Sequence, residues 1–193
     1  MPGVDWLGSR RTEVACDRIL NAAGELFADH GIATVGMNDI ARAAGCSRAT
    51  LYRYFESREM LHTAYVHREA RTVGARLADL VAGITDPRDR LLAGMTHGLR
   101  LVRESRSLSA WFSHTPAGAE AAEHSDVVRA MTSAFLLERA PDDLAAAQRR
   151  ARWLVRVLTS LLTVPGRDTD DERAMLAEFV IPLVYPVEGS TRG

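Results

Sequence analysis

NDIARAAGCSRATLYRYFESREML, from Asn38 to Leu61, reads as a short helix, a tight turn, a second helix and the capped start of a third. Ile40, Ala41 and Ala44 fall at helical spacing, so the first helix has one face to pack inward. Gly45 ends it where a left-handed backbone is cheap for glycine alone. Ser47 stands where an N-cap hydroxyl accepts a hydrogen bond from a free backbone N–H of the next helix. On that helix Leu51 and Phe55 point one way, while Arg48, Tyr52 and Arg53 lie largely on the other and Ala49 and Thr50 are small. A small-residue front rimmed by Arg and Tyr fits a major groove and reaches phosphates on both sides. The stretch is therefore read as a helix-turn-helix DNA-binding unit.

Working outward, helical spacing dominates and alternating strand patterns are missing. Residues 1–10 are expected to be a loose arm, followed by a helix from about Thr12 to His30 with Ala15, Ile19, Ala23, Leu26 and Phe27 inward and Gly31 at its end. After Ser57 a fourth helix is expected to about Gly83, with Leu61, Tyr65, Val73, Leu77 and Leu80 on one stripe; at ~1.5 Å per residue it reaches about 40 Å, enough to link two domains. Asp86-Pro87 opens a fifth helix carrying Leu91, Met95, Leu99 and Val102. A short sixth follows from Ser107 to His114, a seventh from Asp126 to Arg139, and an eighth from Asp142 to Val164. A ninth is capped by Thr169 or Asp170 and ends near Pro182, where proline should kink or terminate it. The expectation is an all-α chain of about nine helices: a helix-turn-helix domain over 1–56 and a helical ligand-binding and dimerisation domain over 57–193.

The composition fits a globular protein, with 47% hydrophobic and 25% charged residues. No apolar run approaches the ~18 residues that would span a bilayer. The N-terminal MPGVDWLGSRR lacks the apolar core of a secretory signal, so a cytoplasmic location is expected, without membrane association. Two cysteines, Cys16 and Cys46, make no disulfide framework. Every one of the 24 basic side chains is an arginine, a usage that suggests a GC-rich bacterial genome. With a net charge of −1, any electropositive surface must be local, and Arg42, Arg48, Arg53 and Arg58, set against Asp39 and Glu56, supply one. Four arginines on helices are usually a solvated face; here they flank a recognition helix.

The run Ser47-Arg48-Ala49-Thr50-Leu51-Tyr52-Arg53-Tyr54-Phe55, with Ser57, Glu59 and Leu61, resembles the signature of the TetR family of bacterial transcriptional regulators. Ile19-Leu20, Ala22-Ala23, Phe27, Gly31, Ile40-Ala41 and Ala44-Gly45 also stand at that family's spacing. The match covers about the first third of the chain; beyond about residue 85 only the general layout is similar. The resemblance implies that Arg48, Ala49 and Tyr52 read bases, with Asn38 contributing from the preceding helix. It implies phosphate contacts from Thr50, Arg53, Tyr54 and Arg58, which set register and affinity but carry no sequence information. Phe55 is read as core, and Tyr54 as shared between core and phosphate. Arg58 stands where the family usually has Lys. Gly36 replaces the usual Thr or Ser, leaving a backbone N–H for a phosphate but no capping hydroxyl. Cys46 replaces Val or Ile and is read as a small hydrophobe. Arg10 and Arg11 belong to a tail that either reaches an adjacent groove or hangs free.

The resemblance further implies a homodimer on double-stranded, palindromic operator DNA. Its interface would come from the eighth helix (Trp153, Leu154, Val157, Leu158, Leu161, Leu162) and the ninth (Met175, Leu176, Phe179, Val180, Leu183). An effector pocket is expected among Met95, Leu99, Trp111, Phe112, His114, Met131, Phe135 and Trp153, suited to a hydrophobic small molecule. Effector binding would move the fourth helix and lower operator affinity, with repression the family's majority behaviour. No cofactor or metal is expected: HExxH, CxxC and GxGxxG are missing, and His62 and His67, five apart, share no helix face. The acidic run Asp168 to Glu172 reads as a helix start favoured by the dipole. Two other readings remain at this level: a constitutive DNA-binding protein without effector control, and an enzyme carrying a borrowed helix-turn-helix.

Overall fold

A computed structural model of the chain describes residues 6–113, 125–137 and 144–185; the side chains of residues 6–11, 113, 127, 131, 134, 135 and 137 lie outside the description. The fold is all-α, with no strand among the described residues. The chain divides into two compact units, Met1–Val66 and His67–Gly193. Among the described residues no helix is long and apolar enough to cross a membrane.

The first unit holds α1 (Trp6–His30), α2 (Met37–Ala43), α3 (Arg48–Tyr54) and the opening turns of α4 (Arg58–Val81). Helix α1 starts at Trp6, so the loose arm expected to about residue 10 is corrected. Leu and Arg in that stretch are good helix formers and Gly8 alone does not break the run. Gly31 ends α1 with φ 77, its N–H donating to the Phe27 carbonyl at 3.0 Å. Ile19, Leu20, Ala23 and Phe27 of α1 are buried with Ile40 of α2, Leu51 of α3, and Leu61 and Tyr65 of α4. Phe27 meets the rings of His62 and Tyr65 edge-on, each at 5.4 Å between centroids. Gly24 lies under Tyr65: a Cβ there would come within 3.0 Å of its Cε2.

The second unit holds the rest of α4, α5 (Pro87–Glu104), α6 (Arg106–Ser113), α7 (Asp126–Leu137), α8 (Leu144–Thr163), α9 (Thr169–Met175), a π-helical turn (Leu176–Val180) and α10 (Ile181–Val184). Asp86 caps α5 by accepting from the N–H groups of Arg88 and Asp89, with Pro87 in the first turn. Leu91, Met95 and Leu99 of α5, Ala151 and Leu154 of α8, and Leu176, Val180, Ile181 and Val184 beyond form one core. Residues 138–143, where the seventh helix was expected to end and the eighth to begin, lie outside the described residues.

Two sequence expectations change here, and a third gains detail. On α4 Leu61 and Tyr65 are buried, but Leu80 is exposed and Val81 is buried instead; at about 100° per residue Val81 lies on a different side of the helix from Leu61, so no single stripe runs the length of α4. The cap of α9 is Asp168, whose Oδ1 accepts from Asp170 N–H at 3.0 Å and Asp171 N–H at 2.8 Å. The last helix ends at Val184, two residues past Pro182, and the proline distorts the helix rather than stopping it at once. A π turn precedes it, with the Ile181 N–H donating five residues back to the Leu176 carbonyl, and this wider turn relieves the clash a proline ring makes with the preceding α-turn.

Inside this unit lies a polar contact that no sequence pattern announced. Arg103 on α5 donates from Nη1 and Nη2 to the two carboxylate oxygens of Glu172 on α9, both at 2.7 Å. Its Nη2 also donates to the Leu161 carbonyl of α8 at 2.8 Å, while Gly166 N–H donates to Glu172 Oε1 at 2.9 Å. Glu172 is 3% exposed, and the arginine's hydrogen bonds hold its carboxyl below the usual range against the burial that opposes ionisation. Gly166 permits the approach, since a Cβ there would sit 2.7 Å from the Glu172 Cγ.

Candidate nucleic-acid interface

The recognition helix α3 is fixed at both ends. Ser47 Oγ accepts from the Thr50 N–H at 3.1 Å and shares a second hydrogen bond with the Thr50 hydroxyl at 2.9 Å. Gly45, with φ 64, turns the chain from α2, and Cys46 N–H donates back to the Ala41 carbonyl at 3.0 Å. Leu51 and Phe55 are buried, which sets the rotation of the helix about its axis. The consequence is an outer face on which Arg48, Ala49 and Arg53 are exposed and Thr50, Tyr52 and Tyr54 half-buried.

Each arginine of that face lies on a tyrosine ring. The Arg48 Cζ is 5.3 Å from the centroid of Tyr52, and the Arg53 Cζ is 5.3 Å from that of Tyr54. Such stacking orients a guanidinium while its N–H edges stay open. Asn38 is exposed on α2. Arg42, also exposed, bonds Asp39 at 3.3 Å, so part of its charge is locally balanced.

Two residues read as phosphate contacts are turned elsewhere. Arg58 donates from Nη2 to the carbonyls of Ile32 at 2.5 Å and Ala33 at 3.2 Å, with its Nε buried and without a hydrogen-bond partner. Both carbonyls belong to the turn that follows α1 rather than to the helix, and the guanidinium satisfies them, so Arg58 clamps that turn. The Gly36 N–H, expected to face a phosphate, donates to Asp39 Oδ2 at 3.2 Å and holds half a capping box on α2.

Arg18 was missed by the sequence reading. Its Nη2 lies 2.7 Å from where a Gly45 Cβ would stand, which brings another guanidinium onto the helix-turn-helix turn; a lone Arg on α1 carries no sequence signal of that. Cys46 is half-buried, not fully enclosed. Cys16 is also half-buried, and burial, then Asp17, push its thiol pKa up. Burial beside Phe27 pulls His62 down to about 4, assisted by Arg58 and opposed by Glu59. A shallow groove of about 480 Å³ runs past His30, Thr34, Asp39 and Arg42 and includes none of the expected effector-pocket residues.

Of those residues, Met95 and Leu99 come together in the core of the second unit. Trp111 is buried and Phe112 half-buried. Trp153 is 38% exposed on α8, outside that core. His114 lies outside the described residues, as do the side chains of Met131, Phe135, Arg10 and Arg11. Phe179 and Leu183, beyond α9, are 60% and 65% exposed, so apolar side chains of both expected dimer helices face outward in the single chain.

A family model described as bacterial regulatory proteins of the tetR family matches residues 19–65. Over its whole length the chain is 55% identical to an uncharacterized HTH-type transcriptional regulator of Mycobacterium tuberculosis, Rv1255c, covering 96% of that protein. The fold is similar to RolR in complex with resorcinol, with a TM-score of 0.71 at 21% identity over 92% of this chain and 90% of that one. It is also similar to the TetR-family transcriptional repressor FadR of Thermus thermophilus in complex with lauroyl-CoA, with a TM-score of 0.63 at 20% identity over 92% and 98%.

Proposed function

From the premise that this chain belongs to the TetR family of bacterial transcriptional regulators, we propose that it binds a palindromic operator as a homodimer, represses transcription there, and is released by a small-molecule effector. Regulation of transcription through DNA, without enzymatic turnover, is what the family does; the finer steps are our reading. The observation that carries it is the outer face of α3, where Arg48 and Arg53 have no carboxylate partner among the described residues while Leu51 and Phe55 anchor the helix.

In this reading residues 1–56 bind DNA and 57–193 bind effector and partner. Arg48, Ala49, Tyr52 and Asn38 face base edges, and Thr50, Arg53 and Tyr54 face phosphates. Arg58 is withdrawn from that set because its Nη2 is engaged by the carbonyls of Ile32 and Ala33. The exposed Trp153, Phe179 and Leu183 favour a second copy as their cover, since apolar side chains grouped on a surface mark association sites. Met95 and Leu99 sit in an apolar interior, which suits a hydrophobic effector, and the cytoplasm is where such a regulator meets DNA.

Selection of bound sequences from random duplex DNA, with sedimentation of the same sample, tests the reading. An enriched palindrome with a dimer in solution supports it. A folded protein that enriches nothing at low salt, or that stays monomeric at micromolar concentration, overturns it.

A further inference from the structure

We infer that Arg48 and Tyr52 act as one reading unit, with the Tyr52 ring holding the Arg48 guanidinium for a bidentate contact to a guanine in each operator half-site. The inference rests on α3 being the recognition helix and goes beyond it, since it names the base and gives Tyr52 a positioning role.

The two residues are four apart, so they lie one above the other on the same face of α3. The guanidinium is placed by the ring, 5.3 Å from its centroid, and the ring is placed by its own half-burial on a helix anchored through Leu51 and Phe55. Arg48 has no carboxylate partner among the described residues, in contrast to Arg42, which bonds Asp39 at 3.3 Å. Its N–H edges therefore point outward without an internal acceptor.

Among the four bases, guanine alone presents two acceptors, N7 and O6, side by side on its major-groove edge, and a planar guanidinium fork matches that pair. Adenine places a donor next to N7 and rejects one arm of the fork. An arginine held on a ring in advance loses less freedom on contact than one that must be ordered by the DNA. Arg53 on Tyr54 has the same stack at 5.3 Å, but its pair joins sequence neighbours, which do not stand above one another on a helix.

The test is sequence selection with wild type, Arg48→Ala, Tyr52→Phe and Tyr52→Leu, all checked for a native melt. Wild type should enrich one guanine per half-site, with replacement of that guanine costing about tenfold or more in affinity. Tyr52→Phe keeps the ring and should keep the discrimination at that guanine, while overall operator affinity falls by whatever the phenol hydroxyl contributes through its own base-edge contact. Tyr52→Leu should reduce it to about two- to threefold, and in an Arg48→Ala background it should change it no further. If Tyr52→Leu does not fold, Tyr52→Met, unbranched and helix-compatible, takes its place. A guanine preference that survives loss of the ring overturns the inference, as does a palindrome with no guanine sensitive to Arg48→Ala. Either result leaves the regulator reading intact, whereas a wild type that selects nothing removes both.

Discussion

In the second unit Arg103 ends among acceptors: both oxygens of Glu172 and the Leu161 carbonyl receive its N–H groups. On α3 Arg48 ends on the face of Tyr52, with its edges turned to solvent. The side chains are the same, and the fold puts them to opposite uses. Arg103 spends Nη1 and Nη2 on internal acceptors and ties α5, α8 and α9 together. Arg48 and Arg53 keep theirs available, which adds little to stability and leaves them for an outside acceptor. A chain with net charge near neutrality presents a local cationic face by deciding which arginines are neutralised inside, rather than by carrying more of them.

The hardest test of this contrast is Glu172→Ala. It leaves the Arg103 guanidinium, 31% exposed, with the Leu161 carbonyl alone and removes the acceptor of Gly166 N–H, and losing charge-assisted hydrogen bonds at a half-buried site costs about 1.5–3 kcal/mol. Arg48→Ala should change stability by no more than ~0.5 kcal/mol. Urea unfolding of both variants measures the difference, and a loss below ~1 kcal/mol for Glu172→Ala breaks the comparison. Arg103→Met with Glu172→Leu sharpens it, because replacing both partners by apolar groups is often close to neutral.

Arg58 stands between the two uses, and its variant asks which side it belongs to. Arg58→Ala should lose about 1–3 kcal/mol through the carbonyls of Ile32 and Ala33. It should leave the salt dependence of DNA binding unchanged, while Arg53→Ala lowers the slope by about 1. Titrations at several salt concentrations decide it: a normal melt with a reduced slope for Arg58→Ala would return that residue to the phosphate contacts.

How much of this was legible follows from how local each signal is. Ser47, Gly45 and the pair Leu51 and Phe55 act within one turn of the chain, so cap, turn and buried face could be read from spacing. Asp86-Pro87 marked α5 for the same reason. Arg103 and Glu172 lie 69 residues apart, Arg58 and Ile32 26 apart, and pairing at that range leaves no periodicity. The acidic run at 168–172 reads as a helix start, but only the fold separates Asp168 as cap from Glu172 as a buried partner. Trp153 and Leu80 show the converse: an apolar residue at helical spacing can still face outward.

The first unit also contains a half-buried titratable group, and acid should reveal it. His62, at about 4 in the folded chain against an ordinary 6.5, remains neutral where the unfolded chain already takes up a proton. Stability from this site is therefore fully present above pH 6.5 and falls as pH drops toward 4, by on the order of 1–2 kcal/mol once its partial exposure is discounted. Urea midpoints at pH 7, 5.5 and 4.5 should show that limb in the wild type and a flatter one in His62→Phe, which retains the edge-on contact to Phe27. Equal slopes in the two proteins would mean that His62 is not the group responsible.

The smallest effect belongs to Gly36, where an N–H expected to face a phosphate is instead taken by Asp39. Its φ of −100 and ψ of 164 suit any L-residue, and a Cβ would stand 3.4 Å from Asp39 Oδ2, an ordinary contact. Gly36→Thr adds the hydroxyl that α2 lacks and completes the capping box, a gain of a few tenths of a kcal/mol, or about 1 °C in the melt. The same hydroxyl brings an acceptor and a donor to the start of a helix in the DNA-binding unit. If it only caps α2, stability rises and operator affinity is unchanged. If affinity rises as well, on operator and random DNA alike, the hydroxyl has joined the exposed face that Arg53 belongs to. A glycine would then mark the point where this chain gave up a phosphate contact and left the recognition helix to carry a larger share of binding.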